Sequence, residues 1–119
     1  MVVSVNQHTF KSEVLEASPL VLVSFWAPWC GLCHVIDPLL QRFKAEWTEP
    51  IKLVQVNADK NFKLANDYQL ISLPTILLFD QGQLRYRLDE FESYTDIRCS
   101  LRQMLEQMTR APRLQARMH

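Results

Sequence analysis

The 119-residue sequence carries no excess charge of either sign: 13 Lys and Arg balance 13 Asp and Glu. A balanced chain offers no field to draw nucleic acid or an anionic membrane, so neither is expected as its main partner. No stretch approaches the length of a membrane span. The start, Met1-Val2-Val3-Ser4-Val5-Asn6, has neither the basic region nor the long apolar run of a signal peptide. The expected location is therefore the cytoplasm. Cysteine is scarce, at 3 residues, too few for a structural disulfide framework in a chain long enough to bury an ordinary core. In a cytosolic chain a CxxC pair is more often catalytic or metal-binding. There is no internal repeat, and 48% hydrophobic with 22% charged residues calls for neither disorder nor a fibre.

What is present reads as one domain over 1–109 followed by a basic tail, 110–119, where Arg110, Arg113 and Arg117 stand without acidic residues. Val2 to Val5 reads as a short strand. Asn6 is then placed to cap a helix to about Ala17, with Phe10, Val14 and Leu15 on one face. Residues 20 to 26 form an almost continuous apolar run, the pattern of a central strand covered on both faces. From Leu32 to Trp47 the positions Val35, Ile36, Leu39, Leu40, Phe43 and Trp47 follow a helical period, with a kink expected at Pro38. Ile51 to Asn57 is a strand and Phe62 to Tyr68 a short helix. Thr75 to Asp80 and Gln83 to Leu88 form a hairpin through Gln81-Gly82. Ser93 with Asp96 fits a helix start, and Ile97, Leu101, Met104, Leu105 and Met108 make the stripe of a last helix. Cys99 falls about 200 degrees around that helix from Ile97, so it is read as an exposed, unreactive residue. The order β-α-β-α-β-α-β-β-α predicts an α/β fold, a central mixed sheet of about five strands with helices on both faces.

The chemistry sits in Trp29-Cys30-Gly31-Leu32-Cys33, at the junction of the central strand and the helix. Two thiols so spaced can close a small ring and reopen it. Cys30 lies at the helix start, where unpaired backbone N–H groups and the helix dipole favour thiolate over thiol, so it is the expected nucleophile. Cys33, one turn deeper, is expected to stay protonated through burial and then to attack the mixed disulfide on Cys30. Gly31 is read as permitting the tight entry between them, and Trp29 as a flat apolar surface beside the reactive sulfur.

A structural zinc site wants four ligands where one CxxC supplies two, and Cys99, His34 and His8 are not spaced to complete it. Cys30-Gly31-Leu32-Cys33-His34 also spells the attachment motif of c-type haem, but that motif needs export and would not follow a buried strand. Neither a metal nor an organic cofactor is expected.

Trp26-Ala27-Pro28-Trp29-Cys30-Gly31-Leu32-Cys33, with Pro38 in the helix, Leu73-Pro74-Thr75 opening a later strand and Gln81-Gly82 at the hairpin, resembles the thioredoxin family. The likeness runs from about Val5 to Met108. It implies a thioredoxin fold and reversible exchange between the Cys30/Cys33 dithiol and disulfides of target proteins, with electrons from a thioredoxin-reductase-type donor. It also implies that Pro74 is cis and lies against the dithiol, and that Leu73 offers backbone groups to an extended substrate. A cis X-Pro bond turns the chain sharply and presents no N–H there.

Departures from the family pattern are as informative. Leu32 stands where most thioredoxins have proline, restoring an N–H and loosening φ, so the usual balance of dithiol and disulfide need not hold. Ser24 stands at the family's buried aspartate and Gln55 at its lysine partner. Replacing both is coherent, because a buried lysine without its carboxylate costs several kcal/mol, whereas two neutral groups can hydrogen-bond. A serine hydroxyl accepts no proton near neutral pH, so slower release from the mixed disulfide is expected, with water as relay. Asp89-Glu90-Phe91 stands where thioredoxins usually carry a glycine, and two carboxylates and a ring there would narrow the groove and repel acidic substrates.

The sequence is thus read as a monomeric protein-disulfide reductase. The alternatives are a specialised redox sensor or isomerase of shifted potential, and a non-catalytic binding module that uses the fold's groove.

Overall fold

A computed structural model describes residues 2–17, 20–47, 50–91 and 93–110. Its strands are β1 (Val2–Ser4), β2 (Leu20–Trp26), β3 (Lys52–Asn57), β4 (Thr75–Asp80) and β5 (Gln83–Leu88). They form one sheet in the order β1-β3-β2-β4-β5. The three strands β1, β3 and β2 run parallel, while β4 is antiparallel to β2 and β5 to β4. This is the expected mixed α/β sheet. The helices are α1 (Gly31–Glu46), α2 (Phe62–Asp67) and α3 (Tyr94–Arg110). The expected tail lies outside the described residues except for Arg110, which closes α3. No helix among the described residues is long and apolar enough to cross a membrane.

Alternation along the strands divides the core in two. Leu20 and Leu22 of β2, Leu53 of β3, and Ile76 and Leu78 of β4 face Ile36, Leu40 and Phe43 of α1 and Ile97, Leu101 and Met104 of α3. Val21, Val23, Phe25, Val54, Val56, Leu77 and Phe79 face the other way, against Phe10, Val14 and Leu64. The same parity puts Ser24, two residues beyond Leu22, and Gln55, two beyond Leu53, on the α1 face. They are partners in the β2–β3 ladder.

Two expectations change. The segment after Asn6 is not an α-helix: the Asn6 Oδ1 accepts from the N–H groups of His8 and Thr9, but Lys11–Leu15 is a wide π turn closed by Glu16 N–H donating to the Lys11 carbonyl at 2.9 Å. The wider turn still buries both Phe10 and Val14. Val35, expected on the buried stripe of α1, is exposed, because the stripe follows Cys33, Ile36, Leu40 and Phe43 and Val35 falls off it. Helix α1 continues past Pro38 to Glu46. Of the α3 stripe, the Leu105 and Met108 side chains lie outside the described residues.

The β4–β5 turn explains one of the two glycines. Gln81 and Gly82 both have positive φ, 53° and 81°, the pair of left-handed residues that a tight hairpin needs. A Cβ on Gly82 would also stand 2.5 Å from the Leu15 carbonyl oxygen.

Candidate active site

The site gathers at the end of the sheet where β2 and β3 finish. Trp26 pairs with Asn57 and Phe25 with Thr75, so the chain leaving β2 toward Cys30, the turn after β3 and the entry to β4 meet at one edge. This is the carboxyl end of parallel strands, where open α/β sheets place their sites. Cys30 is the N-cap of α1, its backbone extended at φ −87° and ψ 102°. Its Sγ accepts the Cys33 N–H at 3.2 Å, one of the orphan donors of the first turn. The two sulfurs form a disulfide across Cα atoms 5.3 Å apart.

In the disulfide form each cysteine, taken as a whole residue, is 6% exposed. What separates them is the side each faces. Cys33 lines a cavity of about 170 Å³ with Ser24, Trp26, His34, Asp37 and Gln55, and Cys30 does not. Nor is Gly31 demanded by crowding, since a Cβ there would meet nothing within 4 Å. Its lack of a side chain leaves the surface beside the disulfide open. Leu32 is partly buried and packs on the α1–α3 core.

Trp29 is 69% exposed, yet its indole N–H donates to the Asp59 Oδ2 at 2.9 Å. Asp59 is held in turn, because Asn57 Oδ1 accepts its backbone N–H at 2.9 Å. The Leu73–Pro74 peptide bond is cis, Pro74 is buried, and Leu73 packs on the second core cluster. Ile71, just before this loop, is a large exposed apolar side chain that periodicity did not single out.

The loop after β5 reaches the same edge. Glu90 has φ 57° and its N–H donates to the Ser72 Oγ at 3.2 Å, tying the loop to the residues before Pro74. The expected narrowing by two carboxylates and a ring reduces to one exposed carboxylate, that of Glu90. Asp89 accepts from the Arg87 Nε at 2.8 Å, and Phe91 packs into the core. Arg87 also donates to the carbonyls of Tyr68 and Gln69, so it buttresses the loop from behind.

Behind the disulfide, Gln55 does not bond to Ser24. Its Nε2 donates to the Asp37 Oδ1 at 2.7 Å. Ser24 is 4% exposed, and Asp37 is half-buried. Neither Asp37 nor Asp59 was singled out from sequence. Asp37 stands at i+4 from Cys33, a spacing that puts the two on one helix face, and that was the available signal.

The thioredoxin family model matches residues 1–103. Over 80 residues the chain is 44% identical to thioredoxin 1 of Synechococcus elongatus, covering 67% of this chain and 75% of that protein. It is also 44% identical over 80 residues to the chloroplastic M-type thioredoxin of Chlamydomonas reinhardtii, covering 67% of this chain and 57% of that one. Over 83 residues it is 40% identical to the thioredoxin of Rickettsia prowazekii, covering 70% and 79%. The chain belongs to the thioredoxin family.

As a thioredoxin it is a thiol–disulfide oxidoreductase, a protein-disulfide reductase by family, and Cys30–Cys33 is its redox-active pair. Among the described residues no group of three or more His, Cys, Asp or Glu side chains gathers to hold a metal ion, and the chemistry indicated is that of the disulfide alone. The left-handed backbone at Glu90 is a conformation that glycine adopts more readily than a residue with a side chain.

Proposed function

We propose that this thioredoxin runs chiefly as a reductase of disulfides in target proteins, with Cys30 as nucleophile and Cys33 as resolving thiol. The observation that carries this reading is the Cys33 N–H aimed at the Cys30 Sγ from the first turn of α1. In the reduced protein the same donor and the helix dipole stabilise a thiolate on Cys30, the form that attacks. The Cys30 thiolate attacks one sulfur of the target disulfide, the other sulfur leaves, and Cys33 displaces the target from Cys30. The protein ends oxidised and the target reduced. Exposed Trp29 and Ile71, with the backbone at Leu73 and the open surface at Gly31, supply the face on which an extended target segment rests. Glu90 biases that face against acidic segments.

The proposed setting is a monomer in the cytoplasm, recharged by a thioredoxin-reductase-type donor within an electron-transport chain that maintains redox balance. A second reading, an isomerase or redox sensor of shifted potential, is favoured by Leu32 at the family's proline and by Ser24 at its aspartate.

Titrating the Cys30/Cys33 couple in a thiol–disulfide buffer, read through the fluorescence of Trp26 and Trp29, tests the two readings. A potential near the roughly −270 mV of thioredoxins, with turnover on a disulfide protein when coupled to a reductase, supports the reductase. A value near about −180 mV, with faster reshuffling than net reduction, favours the isomerase or sensor.

A further inference from the structure

With Ser24 and Gln55 where the family resemblance implies an aspartate and a lysine, those two positions leave Cys33 without a carboxylate. The structure supplies one from a different element. Asp37, one helical turn after Cys33, lines the same cavity as the thiol-bearing residue, and Gln55 holds its Oδ1 from β3 at 2.7 Å. At about 170 Å³ the cavity is far larger than the roughly 10–15 Å³ one water needs, and Ser24, Asp37 and Gln55 offer it polar partners. The cavity is otherwise faced by uncharged groups, Ser24 and Trp26 from β2 and Gln55 from β3. His34, the remaining titratable side chain on it, is exposed, and its Nε2 donates to the Pro28 carbonyl at 2.9 Å.

We infer that Asp37, oriented by Gln55, takes up the proton of the Cys33 thiol through water in this cavity when the mixed disulfide is resolved. The inference rests on the exchange reading above. The Cys33 S–H bond breaks and its proton passes to the Asp37 carboxylate. The Cys33 thiolate attacks the Cys30 sulfur, the Cys30–Cys33 bond forms, and the bond from Cys30 to the target sulfur breaks. The target sulfur leaves with the electron pair as a thiolate and is protonated from solvent, while Asp37 returns its proton to solvent. The two cysteines together lose two electrons and the target disulfide gains them. Asp37 is thus a positioning residue that acts on the reacting sulfur through water.

The test follows decay of the mixed disulfide between Cys30 and a disulfide peptide by rapid quench and mass spectrometry, from about pH 5 to 9. The proteins are the wild type, the near-isosteric Asp37→Asn, and Asp37→Ala with and without added formate. Expected are a decay about 10- to 100-fold slower in both variants near neutral pH, an altered pH profile, and recovery of Asp37→Ala by formate. Unchanged decay in both variants overturns the inference while the exchange reading stands. Slowed decay with the wild-type pH profile and no formate recovery overturns it too, since that marks a structural effect. A wild type that forms no mixed disulfide on Cys30 removes the exchange reading and this inference with it.

Discussion

Ser24 stands opposite Gln55 in the β2–β3 ladder, yet the Gln55 amide reaches to Asp37 on α1 instead of closing onto the serine. Ser24 and Gln55 are thus ladder partners without being a side-chain pair. This has an asymmetric consequence. Gln55→Lys brings a cation to a site where Asp37 already waits, whereas Ser24→Asp puts a second carboxylate into a cavity that holds one. Ser24→Asp is expected to cost about 1–3 kcal/mol and Gln55→Lys less. The double variant should be more stable than the two single effects sum to, by about 1 kcal/mol or more. Chemical denaturation of the four proteins measures this, and strict additivity would contradict it.

The indole of Trp29 is fixed by Asp59 from the turn after β3. Asp59→Ala frees the exposed ring that is proposed to carry the target segment. Its ordering then has to occur on binding, so KM for a protein disulfide should rise about 2- to 10-fold with kcat little changed. Steady-state reduction of one target by both proteins checks it, with the tryptophan fluorescence as a report on the ring.

Glu90 adopts a left-handed conformation that a side chain makes costly. Glu90→Gly is expected to hold or raise stability by up to about 1 kcal/mol, the relief being partly offset by the greater freedom of glycine in the unfolded chain. It should also raise kcat/KM for acidic targets relative to neutral ones. Equal gains for both target classes would show that this carboxylate does not face the groove.

Tyr68 packs against Phe10, Phe25 and Phe79. Burial, with a smaller contribution from the charge of Asp67, raises its phenol above the ordinary value of about 10. The folded protein thus keeps a proton that the unfolded chain gives up. Its contribution is fully present below about pH 10 and is lost as pH rises through the folded value. Tyr68→Phe should remove that alkaline loss, which shows as a shallower fall of denaturation midpoint with pH than in the wild type.

The elements that were legible in sequence are those whose residues carry their own signal. The apolar run of β2 has the pattern of a strand covered on both faces. Gln81-Gly82 between two strand-like segments specified a hairpin, and both residues have the positive φ it requires. The CxxC motif stood out because its chemistry depends on local spacing. The sequence does not separate the π turn at Lys11–Leu15 from an α-helix, because five residues do not distinguish a bond to i−5 from one to i−4. The pairing of Asp37 with Gln55 and of Asp59 with Trp29 crosses elements, and a polar side chain announces no partner. The equal burial of Cys30 and Cys33 follows from how the ring sits in its surroundings, which the motif does not contain.

In the proposed division of labour Cys30 attacks and Cys33 resolves. Reduced Cys33→Ser and Cys30→Ser proteins, each mixed with a disulfide-bonded target and mapped by peptide mass, test it most directly. Cys33→Ser should accumulate a stable mixed disulfide on Cys30, while Cys30→Ser should trap little or none. A mixed disulfide that forms mainly on Cys33, or on Cys99 in both variants, would contradict the account.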